Sequence, residues 1–202
     1  MPDIKHFDPD ATLDTVVRLF WKQGAASTGI QDIVNATGLN RSSLYATFGS
    51  KQQLYMAALE RYVGDRSRPV LGRLTEDDRG LPAVVEFFDS LIATRCSGEY
   101  ARWGCMISNA HAGAENGDPD VRAVLDRQHR RLRDALHAAL VTAHGKEQLT
   151  AVGTAPGPAA DVLALLAHGV NLRSRTGADA EELRQTVAAA IAAVGGRASG
   201  AA

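Results

Sequence analysis

Apolar residues recur with helical spacing along nearly the whole chain, beginning close to its start. A first helix is predicted to follow Asp8 or Asp10, either of which suits the N-cap position, and to end near Gly24. Its inward stripe has i, i+3, i+4, i+7 spacing and consists of Leu13, Val16, Val17 and Phe20. The chain therefore opens with an amphipathic helix.

Two short helices are predicted to follow the first one. Thr28 and Gln31 fit a capping box, in which each side chain satisfies a free backbone donor of the other, so the second helix should begin at Thr28. Gly38 is predicted to reverse the chain, and Asn40 to cap a third helix that ends at Gly49. Two short helices joined by a tight turn are typical of a helix-turn-helix, whose second helix lies in the major groove of DNA.

The rest of the chain also has helical patterns. Ser50 and Gln53 form a second capping box, which opens a fourth helix predicted to run to about Arg68 because Pro69 disfavours helix at the residue before it. Further helical spacing covers residues 84–92, 103–112, 118–140, 159–176 and 178–194. No convincing strand pattern appears, so the predicted fold class is all-α.

The helix-turn-helix region resembles the signature of the TetR family of transcriptional regulators. The resemblance lies in the runs 28–34, 37–45 and 48–51, and it is most specific in Leu44-Tyr45-x-x-Phe48-Gly49-Ser50-Lys51. It covers about residues 8–62. It implies an N-terminal three-helix helix-turn-helix DNA-binding domain over residues 1–51 and a C-terminal helical effector-binding and dimerisation domain over residues 52–202.

The residues expected to touch DNA lie mainly at the starts of the second, third and fourth helices. Arg41 is the strongest candidate for reading a base, because its guanidinium can pair with both acceptors on guanine, an interaction worth about 1 to 3 kcal/mol. Polar side chains and free N–H groups at the start of the second helix suit a phosphate, and the resemblance implies further phosphate contacts around the third helix. The full predicted set is Thr28, Gln31, Asn40, Arg41, Ser42, Ser43, Tyr45, Thr47 and Lys51.

A homodimer on palindromic operator DNA is expected, because one helix-turn-helix offers few base contacts and a two-fold dimer doubles them. The final helix pair is the predicted interface, since residues 159–176 are apolar over most of the helix circumference. The small residues Ala164, Ala167 and Gly169 would let two copies approach closely. The alternative is that this helix is simply the centre of its own domain.

The resemblance also implies a small-molecule effector that binds among the middle helices, shifts the fourth helix and releases the operator. Repression is the mode of regulation that it implies. Ligand cavities are mostly apolar and carry a few polar groups. Candidate lining residues with that mixture are Phe88, Ile92, Trp103, Met106, Asn109 and His111, for each of which an ordinary core role is the alternative.

Charge and composition narrow the function further. The chain has 22 Lys and Arg against 23 Asp and Glu, whereas a non-specific or architectural DNA-binding protein is expected to be strongly basic. Residues 40–73 alone hold six basic and two acidic side chains, a local net charge of plus four.

The composition also bears on where the protein is expected. The chain has only two cysteines, too few for a disulfide-stapled secreted domain, and this predicts a reducing cytoplasm. The most apolar segment, Val162 to Val170, is much shorter than the roughly 18 residues that a membrane span needs.

Three other chemistries are open to these residues. A thiol-based redox or electrophile sensor would use Cys105, provided that its thiolate is favoured and accessible. His111 and Glu115, four residues apart, would share a helical face as metal ligands, but the tight ligand spacing of a zinc site is missing. A small helical enzyme is disfavoured, since no phosphate-binding glycine loop, nucleophile motif or metalloprotease helix appears. We therefore expect no enzymatic activity, no cofactor and no metal.

Overall fold

The computed structural model describes residues 7–149 and 155–195, and this part of the chain is helical without strands. Its helices are α1 (Pro9–Gln23), α2 (Ile30–Thr37), α3 (Arg41–Phe48), α4 (Lys51–Tyr62), a π-helical segment (Val63–Ser67), α5 (Arg68–Glu76), α6 (Leu81–Cys96), α7 (Met106–Ala112), a 3-10 turn (Ala114–Gly117), α8 (Pro119–Gly145), α9 (Pro156–Arg175) and α10 (Ala180–Gly195). The predicted all-α fold is confirmed. None of the described helices is long and apolar enough to cross a membrane.

Local hydrogen bonds set most ends of the N-terminal helices, as the sequence predicts. Asp8 caps α1, and the chain leaves the helix at Gly24. Asn40 caps α3 through its side-chain oxygen. Ser50 and Gln53 form the predicted capping box at the start of α4. These polar side chains satisfy backbone N–H groups that have no partner inside a helix.

The predicted capping box of Thr28 and Gln31 is wrong. The N-cap residue of α2 is Gly29, whose backbone N–H donates to Asp32 Oδ2 at 2.7 Å. The Thr28 hydroxyl donates instead to the carbonyl of Gly24 at 2.6 Å, and its side chain is fully buried. Thr28 with Gln31 and Gly29 with Asp32 are both i, i+3 pairs at this helix start. The Asp32 carboxylate accepts the free N–H because a charged acceptor makes the stronger hydrogen bond.

α4, the π-helical segment and α5 form one continuous helical rod from Lys51 to Glu76. The predicted end near Arg68 is therefore wrong. Pro69 lacks an N–H, and inside an α-helix its ring clashes with the carbonyl four residues earlier. The wider π turn before it changes the hydrogen-bond register, so that Pro69 falls in the first turn of α5, where no N–H is needed.

The short helix predicted over residues 103–112 begins later, at Met106. Arg102 and Gly104 have φ values of 63° and 66°, in the left-handed region that an α-helix cannot contain. The Trp103 carbonyl accepts a hydrogen bond from Asn109 Nδ2 at 2.8 Å. The segment before α7 is thus a tight loop, which Asn109 fastens to the helix.

Two clusters of buried apolar side chains hold the helices together. The first joins α1–α4 to α7 and the start of α8, and it contains Phe20, Ile33 and Leu44, with Leu39 and Phe48 packed against it. The second joins α5, α6 and the rest of α8 to α9 and α10. The first cluster crosses the predicted boundary between residues 51 and 52, so the N-terminal helices share their core with α7 and α8.

Candidate nucleic-acid interface and internal cavity

α2 and α3 form a compact helix-turn-helix that packs on α1 and α4. Gly38 reverses the chain between them with left-handed backbone angles, φ 70° and ψ 6°. Leu44 of α3 is fully buried in the same cluster as Phe20 and Ile33. This packing fixes the orientation of α3 and leaves its other face exposed, with Arg41, Ser42, Ala46 and Thr47 on it.

Arg41 is the first residue of α3 and is exposed, as predicted. Its guanidinium carbon lies 5.2 Å from the centroid of the Tyr45 ring. Asn40 Oδ1 accepts from the Ser43 backbone N–H at 2.8 Å and from Ser42 Oγ at 2.7 Å. The first turn of α3 is therefore held in shape by its own hydrogen bonds, and Arg41 makes no hydrogen bond or ion pair with the described residues.

The other predicted DNA contacts lie around this turn. Gln31 is exposed on α2 and donates through Nε2 to Asn35 Oδ1 at 2.9 Å. Thr47 is exposed near the end of α3, whereas Tyr45 and Lys51 are half-buried. Lys51 is the first residue of α4, so its side chain starts from the junction of α3 and α4. These positions suit contacts to the phosphates that flank a groove.

The structure contradicts the predicted phosphate contact of Thr28. Its side chain has no exposed surface, and its hydroxyl is used in the hydrogen bond to Gly24. We therefore remove Thr28 from the candidate contact set.

Positive charge near α3 is less concentrated than the basic window of the sequence suggests. Arg61 forms ion pairs with three carboxylates, those of Asp10, Asp14 and Asp65. Three further basic residues of the window belong to the π-helical segment and α5: Arg66, Arg68 and Arg73. Only Arg41 and Lys51 of that window stand on or directly beside α3. The window therefore does not form one DNA-binding surface.

A cavity of about 310 Å³ lies between α5 and α6, with α7, α8 and α9 beneath it. Its apolar wall consists of Val70, Leu71, Leu74, Ala83, Phe87, Leu91, Ile107, Leu132 and Ala167. Its inner polar groups are Tyr62, Arg95, Cys105, Ser108, Gln128, His168 and Asn171. Its remaining polar lining is Arg66, Ser67, Arg73, Asp77, Glu86, Ser90 and Thr94.

None of the six residues predicted to line an effector pocket lies on the wall of this cavity. Phe88 and Ile92 are on α6 but are fully buried in the second core cluster, whereas their neighbours Phe87 and Leu91 face the cavity. Adjacent helical residues point about 100° apart, so the predicted residues share α6 with the cavity wall but lie on another face of the helix. The other four lie on or beside α7. Trp103 and Met106 pack in the first cluster. Asn109 bonds to the loop before α7, and His111 packs against His168.

Arg95 joins several groups at the inner end of the cavity. Its Nε donates to Asn171 Oδ1 at 2.8 Å, and its Nη2 donates to the Tyr62 hydroxyl at 3.3 Å. Burial raises the pKa of Tyr62, and the neutral hydroxyl donates to Cys105 Sγ at 3.5 Å. The guanidinium also lies over the Trp21 ring, 5.6 Å from its centroid. The cavity thus touches residues that pack against α1.

Three histidines lie together beneath the cavity. His168 Nδ1 is 2.9 Å from Ser108 Oγ, and its Nε2 is 3.2 Å from His129 Nδ1. The His111 ring packs edge-on against His168, with centroids 5.3 Å apart. Burial and the two neighbouring imidazoles lower the pKa of His168 to about 4, and burial lowers that of His111. Added positive charge is therefore unfavourable on His168 and on His111.

The alternative of a metal pair at His111 and Glu115 has no support in the geometry. Glu115 Oε1 accepts from the backbone N–H of Ala26 at 2.9 Å, which ties the 3-10 turn to the loop before α2. Among the described residues, no group of three or more histidine, cysteine, aspartate and glutamate side chains is arranged to hold a metal ion.

Trp21 packs α1 against the end of α4 and against the loop before α7. Its ring packs on Tyr62, Tyr100 and Trp103, with centroids 5.0, 4.9 and 5.3 Å away. Its Nε1 donates to the Gly104 carbonyl at 2.8 Å. This role is not among the sequence predictions, although a large aromatic residue directly after Phe20 was a signal for a second contact surface on α1.

Gln128 was missed as well. It is 4% exposed, and neither its Oε1 nor its Nε2 has a hydrogen-bond partner among the described residues. It lies three residues after Leu125 and four before Leu132, both on the inward stripe of α8. A polar residue at such a position is a signal for a buried polar site.

Comparisons with known proteins agree with this architecture. Residues 13–58 match the model of the bacterial regulatory proteins of the tetR family. The chain is 28% identical over 187 residues to the HTH-type transcriptional repressor ComR of Escherichia coli (strain K12), which covers 90% of this chain and 86% of that protein.

Two solved structures share the fold. A cysteine mutant of the TetR family regulator CifR, complexed with 26-bp double-strand operator DNA, has a TM-score of 0.82 at 24% identity and covers 95% of this chain and 99% of that one. AibR in complex with isovaleryl coenzyme A and operator DNA has a TM-score of 0.68 at 18% identity, with 92% and 97% covered. The N-terminal region of this chain thus matches the tetR family of bacterial regulatory proteins, and the chain is similar in sequence and in fold to TetR-family transcriptional regulators.

Proposed function

We propose that this chain represses transcription by binding a palindromic operator as a homodimer, and that it leaves the operator when a small molecule occupies the cavity between α5 and α6. The observation that carries the proposal is the continuous helical rod from Lys51 to Glu76. One end of the rod follows α3 directly, and the other end forms a wall of the cavity. A ligand and a DNA groove would therefore act on the same rod.

The proposed DNA reader is the exposed first turn of α3, within a DNA-binding unit of residues 1–51. Arg41 supplies the base contact, and Asn40 preorganises the turn through its hydrogen bonds to Ser42 and Ser43. Backbone phosphates are contacted by Gln31, Tyr45, Thr47 and Lys51. The similarity to ComR, a transcriptional repressor, and to CifR, a regulator solved on its operator DNA, supports this assignment.

The proposed dimer surface lies on α8 and α9, within the unit of residues 52–202. α9 exposes Val162, Leu165 and Leu172, whose side chains are 51%, 66% and 36% exposed, and Val141 of α8 is 49% exposed. The three α9 residues are spaced three and seven apart, which puts them on one face. A contiguous exposed apolar face of this kind marks a protein contact.

The buried side chains of α9 and α10 differ from the predicted interface in two details. Ala164 and Ala167 are buried in the second core cluster, so they cannot mediate close approach of two copies. α10 buries its own apolar stripe in the same cluster. The interface is therefore proposed for the outer face of α9 with α8, and not for α9 with α10.

In the proposed release mechanism, Tyr62 and Trp21 transmit movement from the cavity to α1. Tyr62 is the last residue of α4, contacts Arg95 in the cavity and packs against Trp21 of α1. A ligand that moves Arg95 would move this packed group and change the spacing of the two α3 helices in the dimer. Such rigid-body shifts are a common way in which packed elements transmit binding.

AibR, which shares this fold, forms a complex with both a coenzyme A ester and operator DNA, and this supports an effector for the present chain. The comparisons do not favour a thiol-based sensor at Cys105, and we do not propose one. The relatives are transcriptional regulators, so no enzymatic activity is proposed either. Since chromosomal DNA is the proposed target, we place the protein in the cytoplasm.

The proposal is tested by selecting DNA fragments bound by the full chain and measuring affinity for the selected site and for a scrambled duplex at the same salt concentration. We expect a two-fold symmetric site with half-sites about 34 to 36 Å apart, bound at least about a thousandfold more tightly than the scrambled duplex. Equal affinity for both duplexes would overturn the proposal.

A further inference from the structure

Arg95 is a cation on the cavity wall, and it has no carboxylate partner among the described residues. Its hydrogen bonds go to the amide oxygen of Asn171 and the hydroxyl of Tyr62, and its face lies over the Trp21 ring. None of the ion pairs between described residues involves Arg95. Since an arginine side chain stays protonated, a cation at the wall of a cavity lacks the counter-charge that such groups normally have.

Gln128 provides a second, independent sign that the cavity has a ligand. Its amide is almost completely buried and lines the same cavity, and within the described part of the chain neither its donor nor its acceptor is satisfied. A buried polar group without a partner is costly, and few remain in folded proteins. Ser108 and His168, which also line the cavity, already bond to each other. At the inner end of the cavity, Gln128 therefore has no partner among the described residues, and Arg95 keeps guanidinium N–H groups beyond its two hydrogen bonds.

The acidic residues of the cavity stand away from this polar end. Glu86 and Arg95 are nine residues apart on α6, about 13 Å along the helix axis. Both Glu86 and Asp77 are paired with Arg79, and this pairing lowers the pKa of Asp77 to about 2. The wall between the two ends is largely apolar, with Leu91 on α6 and Leu132 on α8. The cavity is thus polarised from a cationic inner end to an apolar body.

We infer that this cavity binds an amphipathic carboxylate, with the acid group at Arg95 and Gln128 and the apolar chain between α5 and α6. The guanidinium supplies the counter-charge, and the Gln128 amide donates a hydrogen bond to the carboxylate. A volume of about 310 Å³ suits one medium-sized molecule. This inference rests on the proposed function, because it names the chemical class of the effector.

The first test compares decanoate with decanamide, which has the same chain and a neutral head. Binding of each to the full chain is measured by isothermal titration calorimetry. We expect one decanoate per chain, bound at least about tenfold more tightly than decanamide, because a charge-assisted hydrogen bond is stronger than a neutral one. Equal affinities, absence of decanoate binding, or several decanoate molecules per chain would overturn the inference.

Two variants locate the acid group. Arg95→Gln is expected to remove the preference for decanoate over decanamide, whereas Arg73→Gln, at a more exposed arginine of the same cavity, is expected to keep it. Gln128→Leu avoids the risk that loss of Arg95 unfolds the chain. It removes an unsatisfied buried amide, so its melting temperature should equal or exceed that of the wild type while decanoate binding weakens by at least about threefold. Unchanged decanoate affinity in Gln128→Leu, or loss of preference in Arg73→Gln, would contradict the assignment.

Operator release is measured separately, by adding each compound to the complex of the wild-type chain with its selected DNA. Selective decanoate binding without release would leave the carboxylate site standing and overturn the effector part of the proposed function. Release by both compounds, with equal binding, would support the proposed function and overturn the carboxylate site.

Discussion

Arg41 and Arg95 both lack a carboxylate partner among the described residues, yet their surroundings differ in kind. Arg41 is exposed on the first turn of α3 and lies against the face of Tyr45. Arg95 is at the inner end of a cavity and is held by Asn171 and Tyr62. The different surroundings are the reason why Arg41 is proposed to read a base edge and Arg95 to bind a ligand.

The first residue-scale prediction concerns Arg41→Ala. We expect the preference for the selected operator over a scrambled duplex to fall by about 1 to 3 kcal/mol, because the bidentate contact to guanine is lost. Fluorescence anisotropy at fixed salt measures it. Arg130→Ala, at an exposed arginine of α8, serves as the control and should keep the preference. An Arg41→Ala chain with wild-type preference would remove Arg41 from the reading role.

At the residue scale, we also predict that the free energy of unfolding depends on the protonation of His168. The pKa of His168 is lowered to about 4 in the folded chain from an ordinary value of 6.5, so the unfolded chain takes up the proton first. The stabilising effect of the neutral ring is present above about pH 6.5, and the free energy of unfolding falls as pH drops towards about 4. Urea unfolding at a series of pH values measures this slope.

The pH prediction has a matched pair of variants. His168→Gln keeps a side chain able to bond to Ser108 but cannot take up a proton, so it should flatten the slope. His144→Gln, at an exposed histidine near the end of α8, should leave it unchanged. If His168→Gln retains the full wild-type slope, His168 is not its source.

At the scale of elements, the junction between α3 and α4 sets the orientation of α3, the proposed DNA-reading helix. Gly49 ends α3 with φ 80° and ψ −113°, a conformation that side chains other than glycine strongly disfavour. A Cβ atom at Gly49 would meet Gln53 Oε1 at 2.0 Å. Gln53 belongs to the capping box of α4, so the turn and the helix start depend on the same side chain.

Gly49→Ala is therefore expected to destabilise the chain by about 2 to 3 kcal/mol, because backbone strain is added and the cap is displaced. Operator affinity should fall in parallel, since α3 is no longer held at the same angle. Gly72→Ala is the control, because nothing lies within 4 Å of the added Cβ inside α5, and it should stabilise by up to about 1 kcal/mol. Thermal unfolding of both variants decides the matter; similar melting temperatures would refute the strain argument.

At the scale of the whole molecule, the two buried clusters leave apolar side chains of α9 and α8 exposed among the described residues. Leu165→Glu places a charge at its most exposed apolar residue, which is 66% exposed. We expect the dimer to dissociate, because the charge would be buried in the interface, while the fold of one chain stays within about 0.5 kcal/mol of the wild type. Sedimentation velocity measures the mass of the particle.

Val85→Glu is the matched control for the dimer prediction. Val85 is 42% exposed, on α6 and outside the proposed interface, so its variant should remain dimeric. A Leu165→Glu chain that dimerises as tightly as the wild type would exclude this face of α9.

The local elements follow from the sequence because short-range physics decides them. The caps Asn40 and Ser50, the turn at Gly38 and the inward stripe with Phe20 depend on neighbours within one or two helical turns, so their patterns could be recognised along the chain. The motif from Leu44 to Lys51 pointed to the family for the same reason. Where two local patterns competed, at Thr28, only the three-dimensional structure could decide between them.

Tertiary packing alone decided the cavity, its polar end and the continuous rod. Phe87 and Phe88 are equally apolar neighbours, and only the placement of α5 and α10 against α6 determines which one lines the cavity. The π turn before Pro69 likewise lets the helix run on where local rules predict its end. The type of a residue determines which groups its side chain can bind. Contacts between residues far apart in sequence determine whether that side chain lines a cavity or is buried in the core, and no local pattern encodes those contacts.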